Sequence, residues 1–169
     1  MRLDIAKWKS IENPIHRDDL FRAYAGVQLM EGARELVLRL QEAGIFVAIV
    51  SAGVDLFVAS IAAMLKVDDW IANGFEFNED DTLSDEGVCR LHATGKGEII
   101  TKLLNMNNLQ PEGCVSVGDS EMDLSMKIDG GHFIGFNPTR ASSMEAFEKA
   151  GVPIVTGKNL LDIAPYLGV

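Results

Sequence analysis

The chain has 169 residues, of which 47% are hydrophobic and 24% charged, with a formal net charge of −10. That length suits one domain with a proper core, and the acidic balance excludes nucleic acid, which calls for a basic stripe. No apolar run approaches the ~20 residues that a membrane span needs, so no membrane partner is expected either.

Residues 1–28 read differently from the rest. Asp4 to Ile11 and Arg17 to Tyr24 look like two amphipathic helical pieces separated by Asn13-Pro14, with no strand before them. Met1-Arg2-Leu3-Asp4 has no apolar stretch after its basic residue and is not a signal peptide. Cys89 and Cys114 have no metal-type partner spacing, and the expected location is the reducing cytoplasm.

From Gly32 the pattern becomes regular. Ala33, Leu36, Val37 and Leu40 form a helical stripe, and Gly44 stands where such a helix would end. Ile45 to Val50 is a continuous apolar run of the kind found in parallel strands buried on both faces. Val54 to Leu65 predicts a helix, and Trp70 to Phe77 a strand entering a hairpin that returns through Val88 to Leu91. Glu79, Asp80, Asp81, Asp85 and Glu86 lack the spacing and central glycine of a calcium loop, and read as a solvated hairpin tip.

The remainder alternates. Gly95 to Asn105 predicts a helix, Cys114 to Val117 a buried strand, Ser120 to Ile128 a short helix and His132 to Phe136 a strand. Thr139 should cap a helix that Gly151 closes, Pro153 to Thr156 is a last strand, and Asn159 should cap the last helix. Such alternation means an α/β fold, a doubly wound parallel sheet with helices on both faces. The four strands are expected in one sheet, with ligands bound outside their carboxyl ends.

Three groups stand at or near strand exits. Ser51-Ala52-Gly53 offers a hydroxyl and backbone N–H groups to an anionic oxygen, though small residues there also serve packing. Gly118-Asp119-Ser120-Glu121-Met122-Asp123 places two carboxylates four residues apart across a strand-to-helix turn. Asp123 alone would serve as a helix cap, but Asp119, directly after a buried strand, is better suited to a hard cation such as Mg²⁺. Lys96, flanked by Gly95 and Gly97, opens a helix where the dipole disfavours a cation. The histidines His16, His92 and His132 have no ligand-type neighbours and read as structural.

In that order these groups resemble the haloacid dehalogenase superfamily of phosphohydrolases, in particular its phosphoserine phosphatase branch. Val50-Ser51-Ala52-Gly53-Val54-Asp55 looks like the branch's second motif, and Lys96-Gly97-Glu98-Ile99-Ile100 like its lysine motif. Val117 to Met126 looks like its acidic motif. The resemblance implies a magnesium-dependent phosphomonoester hydrolase acting on a small phosphorylated metabolite such as phosphoserine. Ser51, Ala52, Gly53 and Lys96 would bind phosphate, Lys96 and Asp123 would serve catalysis, and Asp119 with Asp123 would form the metal side. Met122 stands where the branch usually has Asn, which leaves the phosphoserine substrate open.

The family's first motif, Asp-x-Asp at the end of the first strand, supplies the nucleophile and occurs nowhere in this sequence. By resemblance, residues 1–28 are a partial helical cap and residues 29–169 an α/β core with a small β-hairpin insertion, lacking the first strand and catalytic loop. The expectation is a truncated chain, inactive by itself. The alternatives are one part of a split phosphatase, or a non-catalytic phosphate-binding or scaffold module. The missing strand would lie between the strand ending at Ser51 and the one ending at Asp119. That slot is expected to close by direct pairing, by the N-terminal segment, or by strand exchange in a homodimer.

Overall fold

Strand and helix alternate from residue 33 onward in the computed structural model, which describes residues 2–169. Helices α1 (Arg2–Lys9), α2 (Arg17–Tyr24) and α3 (Ala33–Glu42) precede β1 (Ala48–Val54), α4 (Asp55–Leu65), β2 (Asp69–Phe77) and β3 (Leu83–Val88). Then follow α5 (Lys96–Met106), β4 (Val115–Gly118), a 3-10 turn over Glu121–Met126, β5 (His132–Phe136), α6 (Ala141–Ala150) and β6 (Ile154–Val155). A 3-10 turn, Leu160–Ile163, leads into the short α7 (Ala164–Leu167).

Several boundaries move for local reasons. The first strand starts at Ala48 rather than Ile45, because the N–H of Ile45 still bonds the Leu40 carbonyl at the end of α3. The hairpin returns over Leu83–Val88 rather than Val88–Leu91, since the N–H of Asn78 closes the turn on the Thr82 carbonyl. This draws part of the acidic run into a strand. Thr139 is not the cap of α6: Arg140 takes that position, without a side-chain hydrogen bond. Gly151 does close α6, in the left-handed region at φ 63°, and Asn159 caps its turn by accepting from the Leu161 N–H at 2.9 Å.

The single sheet expected from the sequence is divided into two ladders. In one, β1 pairs with β2 in parallel and β2 with β3 antiparallel; in the other, β4, β5 and β6 run parallel. β1 and β4 do not pair, and each is hydrogen-bonded along one edge only among the described residues. Side chains and helices carry the core across that boundary instead. Residues of β5 alternate between the two faces, as a strand must. Ile134 and Phe136 pack with Leu36, Leu40 and Ile163, whereas Phe133 packs with Ile100, Leu104 and Phe147. Val47, just before β1, joins the first cluster, and Val50 joins the second. Helices thus cover both faces, and the fold is the doubly wound α/β type.

The N-terminal helices are seated on the hairpin. Ile5, Ile15 and Leu20 bury against Leu83, Trp8 meets the Phe75 ring edge-on, and Tyr24 stacks on Phe57. Backbone bonds from Leu83 N–H to the Ile15 carbonyl and from Arg17 N–H to the Asp81 carbonyl fasten the two units. This segment therefore covers the hairpin and does not enter the space between β1 and β4.

Candidate active site

Ser51, Ala52 and Gly53 lie in an irregularity of the β1–β2 ladder. Val50 pairs with Ile71 and Val54 with Asn73, so three residues of β1 stand opposite the single Ala72. Such a bulge lifts backbone groups out of the ladder and re-aims them. The Ser51 hydroxyl accepts the Gly53 N–H at 3.0 Å, which folds the turn on itself. The sequence suggested a cradle at a helix N-terminus, but the strand continues to Val54 and α4 begins at Asp55. The three residues belong to a bulged strand end.

The acidic turn follows β4. Asp123 is buried, and one carboxylate oxygen accepts the Lys96 ammonium at 2.5 Å. The other accepts the N–H groups of Asp119 and Ser120, both at 3.1 Å, and the Ser120 hydroxyl at 2.9 Å. Burial pushes the Asp123 carboxyl up, but the Lys96 ammonium and the Ser120 hydroxyl and N–H outweigh it. The group is held below the ordinary carboxylate value. Gly118 is required here, because a Cβ would come within 2.3 Å of the Asp123 Cβ.

Lys96, itself buried, is brought in by close packing at the start of α5. A Cβ at Gly97 would stand 2.5 Å from the Ser125 carbonyl oxygen, so only glycine lets the helix lie against that turn. The Ser125 hydroxyl in turn bonds the Ala93 carbonyl at 2.9 Å. Asp119 differs from Asp123: its carboxylate has no hydrogen bond or ion pair among the described residues.

One series of contacts links the serine turn to the acidic turn. Asn73 on β2 bonds both the Ala52 carbonyl and the backbone at Leu91. The chain from Leu91 leads through Ala93, tied to Ser125, to Lys96, tied to Asp123. Asn73, Arg90 and Ser120 were missed in reading the sequence. The one available signal was Asn73-Gly74 in the middle of a strand, where both residue types are disfavoured. Glu121 was missed as well: it accepts from the buried Ser143 hydroxyl and pins the acidic turn to α6.

A doubly wound α/β core with a buried lysine–aspartate pair, a carboxylate left uncommitted and a serine turn at its strand ends has the makings of a phosphoryl-group site. The comparisons agree at the level of family. The model of the haloacid dehalogenase-like hydrolases matches residues 6–126. The phosphoserine phosphatase of Archaeoglobus fulgidus is 32% identical over 149 residues, covering 88% of this chain and 42% of that protein. That of Methanocaldococcus jannaschii is 34% identical over 106 residues, covering 63% of this chain and 50% of that one. A structure titled as a phospho-aspartyl intermediate analogue of phosphoserine phosphatase superposes with a TM-score of 0.83 at 27% identity, covering 98% of this chain and 75% of that one. The chain belongs to the haloacid dehalogenase-like hydrolase family, and within it is phosphoserine phosphatase-like. It spans about half the length or less of those two curated relatives.

Proposed function

We propose that this chain forms the phosphate- and metal-binding part of a magnesium-dependent phosphomonoester hydrolase acting on a small phosphorylated metabolite of the phosphoserine type. The observation that carries the reading is the buried Lys96–Asp123 pair beside the uncommitted Asp119 carboxylate at the end of β4. A lysine held this way keeps a fixed positive charge where phosphate charge develops, without reorganising during the reaction. The Ser51 hydroxyl and the N–H groups of the bulged turn would take phosphate oxygens. Asp119 is the one carboxylate of the acidic turn free to hold Mg²⁺, a hard cation suited to oxygen donors, which would neutralise charge on the phosphoryl group. Asp123 would act by orienting Lys96, since both of its oxygens are engaged.

Among the described residues no group of three or more His, Cys, Asp or Glu side chains could hold a metal ion. Asp119 therefore fits as one ligand of a set whose other protein oxygens come from elsewhere. The same holds for the attacking carboxylate, since no Asp-x-Asp occurs in the 169 residues. We assign both to a polypeptide segment other than these residues. Attack would form a bond between that carboxylate and phosphorus and break the ester P–O bond. The second acid of that Asp-x-Asp would give its proton to the departing alcohol. Water would later attack phosphorus, breaking the bond to the carboxylate and releasing phosphate.

The test is complementation. The chain alone should not hydrolyse phosphoserine or p-nitrophenyl phosphate with Mg²⁺. Co-expressed with a peptide carrying an apolar strand that ends in Asp-x-Asp, it should gain magnesium-dependent turnover that Asp119→Ala abolishes. Turnover by the chain alone, lost in Asp119→Ala, would mean that a nucleophile lies within it. No turnover from a stably assembled pair would overturn the phosphatase reading.

A further inference from the structure

We infer that Asn73 is a positioning residue for the bound phosphate, holding the Ser51 turn at a fixed separation from the segment that delivers Lys96. The inference rests on the phosphate reading above. Its starting point is the bulge in β1, which leaves three residues opposite the single Ala72 and so takes backbone groups out of the ladder. A buried carbonyl without a partner is costly. The Ala52 carbonyl finds its partner in the Asn73 side-chain amide, Nδ2 donating at 3.0 Å.

The same amide makes three more bonds on another segment. Nδ2 donates to the Leu91 carbonyl at 3.1 Å, and Oδ1 accepts the N–H groups of Arg90 at 2.8 Å and Leu91 at 3.0 Å. Two carbonyls on one side and two N–H donors on the other fix which way the amide faces and satisfy all four of its usual bonds. Asn73 is only 6% exposed, so water does not compete. None of these four contacts belongs to a ladder or a helix. Each one joins the serine turn or the Arg90–Leu91 segment to β2.

A second layer closes over this junction. The Arg90 guanidinium bonds Asp55 Oδ2 at 3.0 Å, at the start of α4, and the Ala72 carbonyl at 2.9 Å. Gly74 leaves the room for it: a Cβ there would stand 2.6 Å from Asp55 Oδ2 and 2.8 Å from Arg90 Nη1. The turn bearing Ser51 is thus clamped on both sides, and the chain runs from the clamp at Leu91 through the Ala93–Ser125 bond to Lys96. A phosphate gripped from one side by the Ser51 turn and from the other by Lys96 depends on that separation, since sub-ångström errors at such sites weaken function.

The experiment titrates the chain with inorganic phosphate and follows the amide resonances of Gly53 and Lys96 by NMR, with thermal melting as a measure of stability. Asn73→Asp keeps the acceptor for Arg90 and Leu91 but sets a carboxylate against the Ala52 and Leu91 carbonyls. It should weaken phosphate binding at both amides at least about tenfold. Ile163→Ala, in the core cluster under α7, serves as the control: a comparable drop in melting temperature should leave phosphate affinity within about twofold. Should Asn73→Asp not fold, Asn73→Ser, too short to span both segments, supplies the same readout. Equal phosphate affinity in a folded Asn73 variant and the wild type would overturn the positioning role while leaving the phosphate site standing. Wild-type protein whose Gly53 and Lys96 amides ignore phosphate would remove the site and the positioning role together.

Discussion

Lys96 and Asp123 each make sense only through the other. Removing one partner of a buried pair leaves an uncompensated charge, which costs about 3–5 kcal/mol. Lys96→Met should therefore lower unfolding free energy in urea by about 3 kcal/mol, and adding Asp123→Asn should recover part of that loss. The pH dependence follows from the direction of the Asp123 shift. Its folded-state pKa is lowered, so the contribution is fully present above the ordinary carboxylate value of about 3.9 and is lost as pH falls through the lowered one. Wild-type stability should rise with pH in the acid range below about pH 3.9, and Lys96→Met should lack that increment. An unchanged pH profile in the variant would show that the pair contributes no charge-dependent stability.

Two elements are placed by glycine rather than by side chains. Gly97 lets α5 lie against Ser125, and Gly118 lets β4 turn sharply beneath Asp123. Overpacking such contacts costs about 1–3 kcal/mol. For Gly118→Ala the intruding atom meets Asp123 itself, so the loss should be local in its effect on the site. Gly118→Ala should stay folded, with unfolding free energy reduced by about 2 kcal/mol, while its 15N spectrum loses the low-mobility signature of the Asp119 and Ser120 amides. Retention of those two amides unchanged would mean that the turn tolerates a Cβ by another route.

For the molecule as a whole, the division into two ladders is the dominant feature. β3 is flanked by the N-terminal helices, and β6 is only two residues long. β1 and β4 are different: each carries apolar residues and has one edge without a ladder partner among the described residues. Ile49, Val50, Val115 and Val117 are half-buried, although their strands read as fully buried runs. Edges of this kind recruit strands. The isolated chain should self-associate with rising concentration, as measured by light scattering after size exclusion. A peptide carrying an apolar strand should suppress that association. A chain that stays monomeric at high concentration and melts cooperatively would show that these edges need no partner.

Much of the fold was legible in the sequence because it is written in periodicity. The stripe at Ala33, Leu36, Val37 and Leu40 and the runs ending at Val50 and Val117 fix element types through local sterics and burial. The order of serine, lysine and paired aspartates pointed to the family, which the comparisons show. Tertiary structure decided what depends on contacts between distant segments. The ladder splits between β1 and β4 because hydrogen-bond pairing is set by neighbours in space, about which an apolar run says nothing. The bulge at Ser51 exists in register with β2, and Asn73 becomes its partner only once Leu91 is brought alongside. The two aspartates are chemically alike in sequence, four residues apart. Position after a buried strand already set Asp119 apart from Asp123, but only packing supplied the partners, giving Asp123 the Lys96 ammonium and three further donors while leaving the Asp119 carboxylate without one among the described residues.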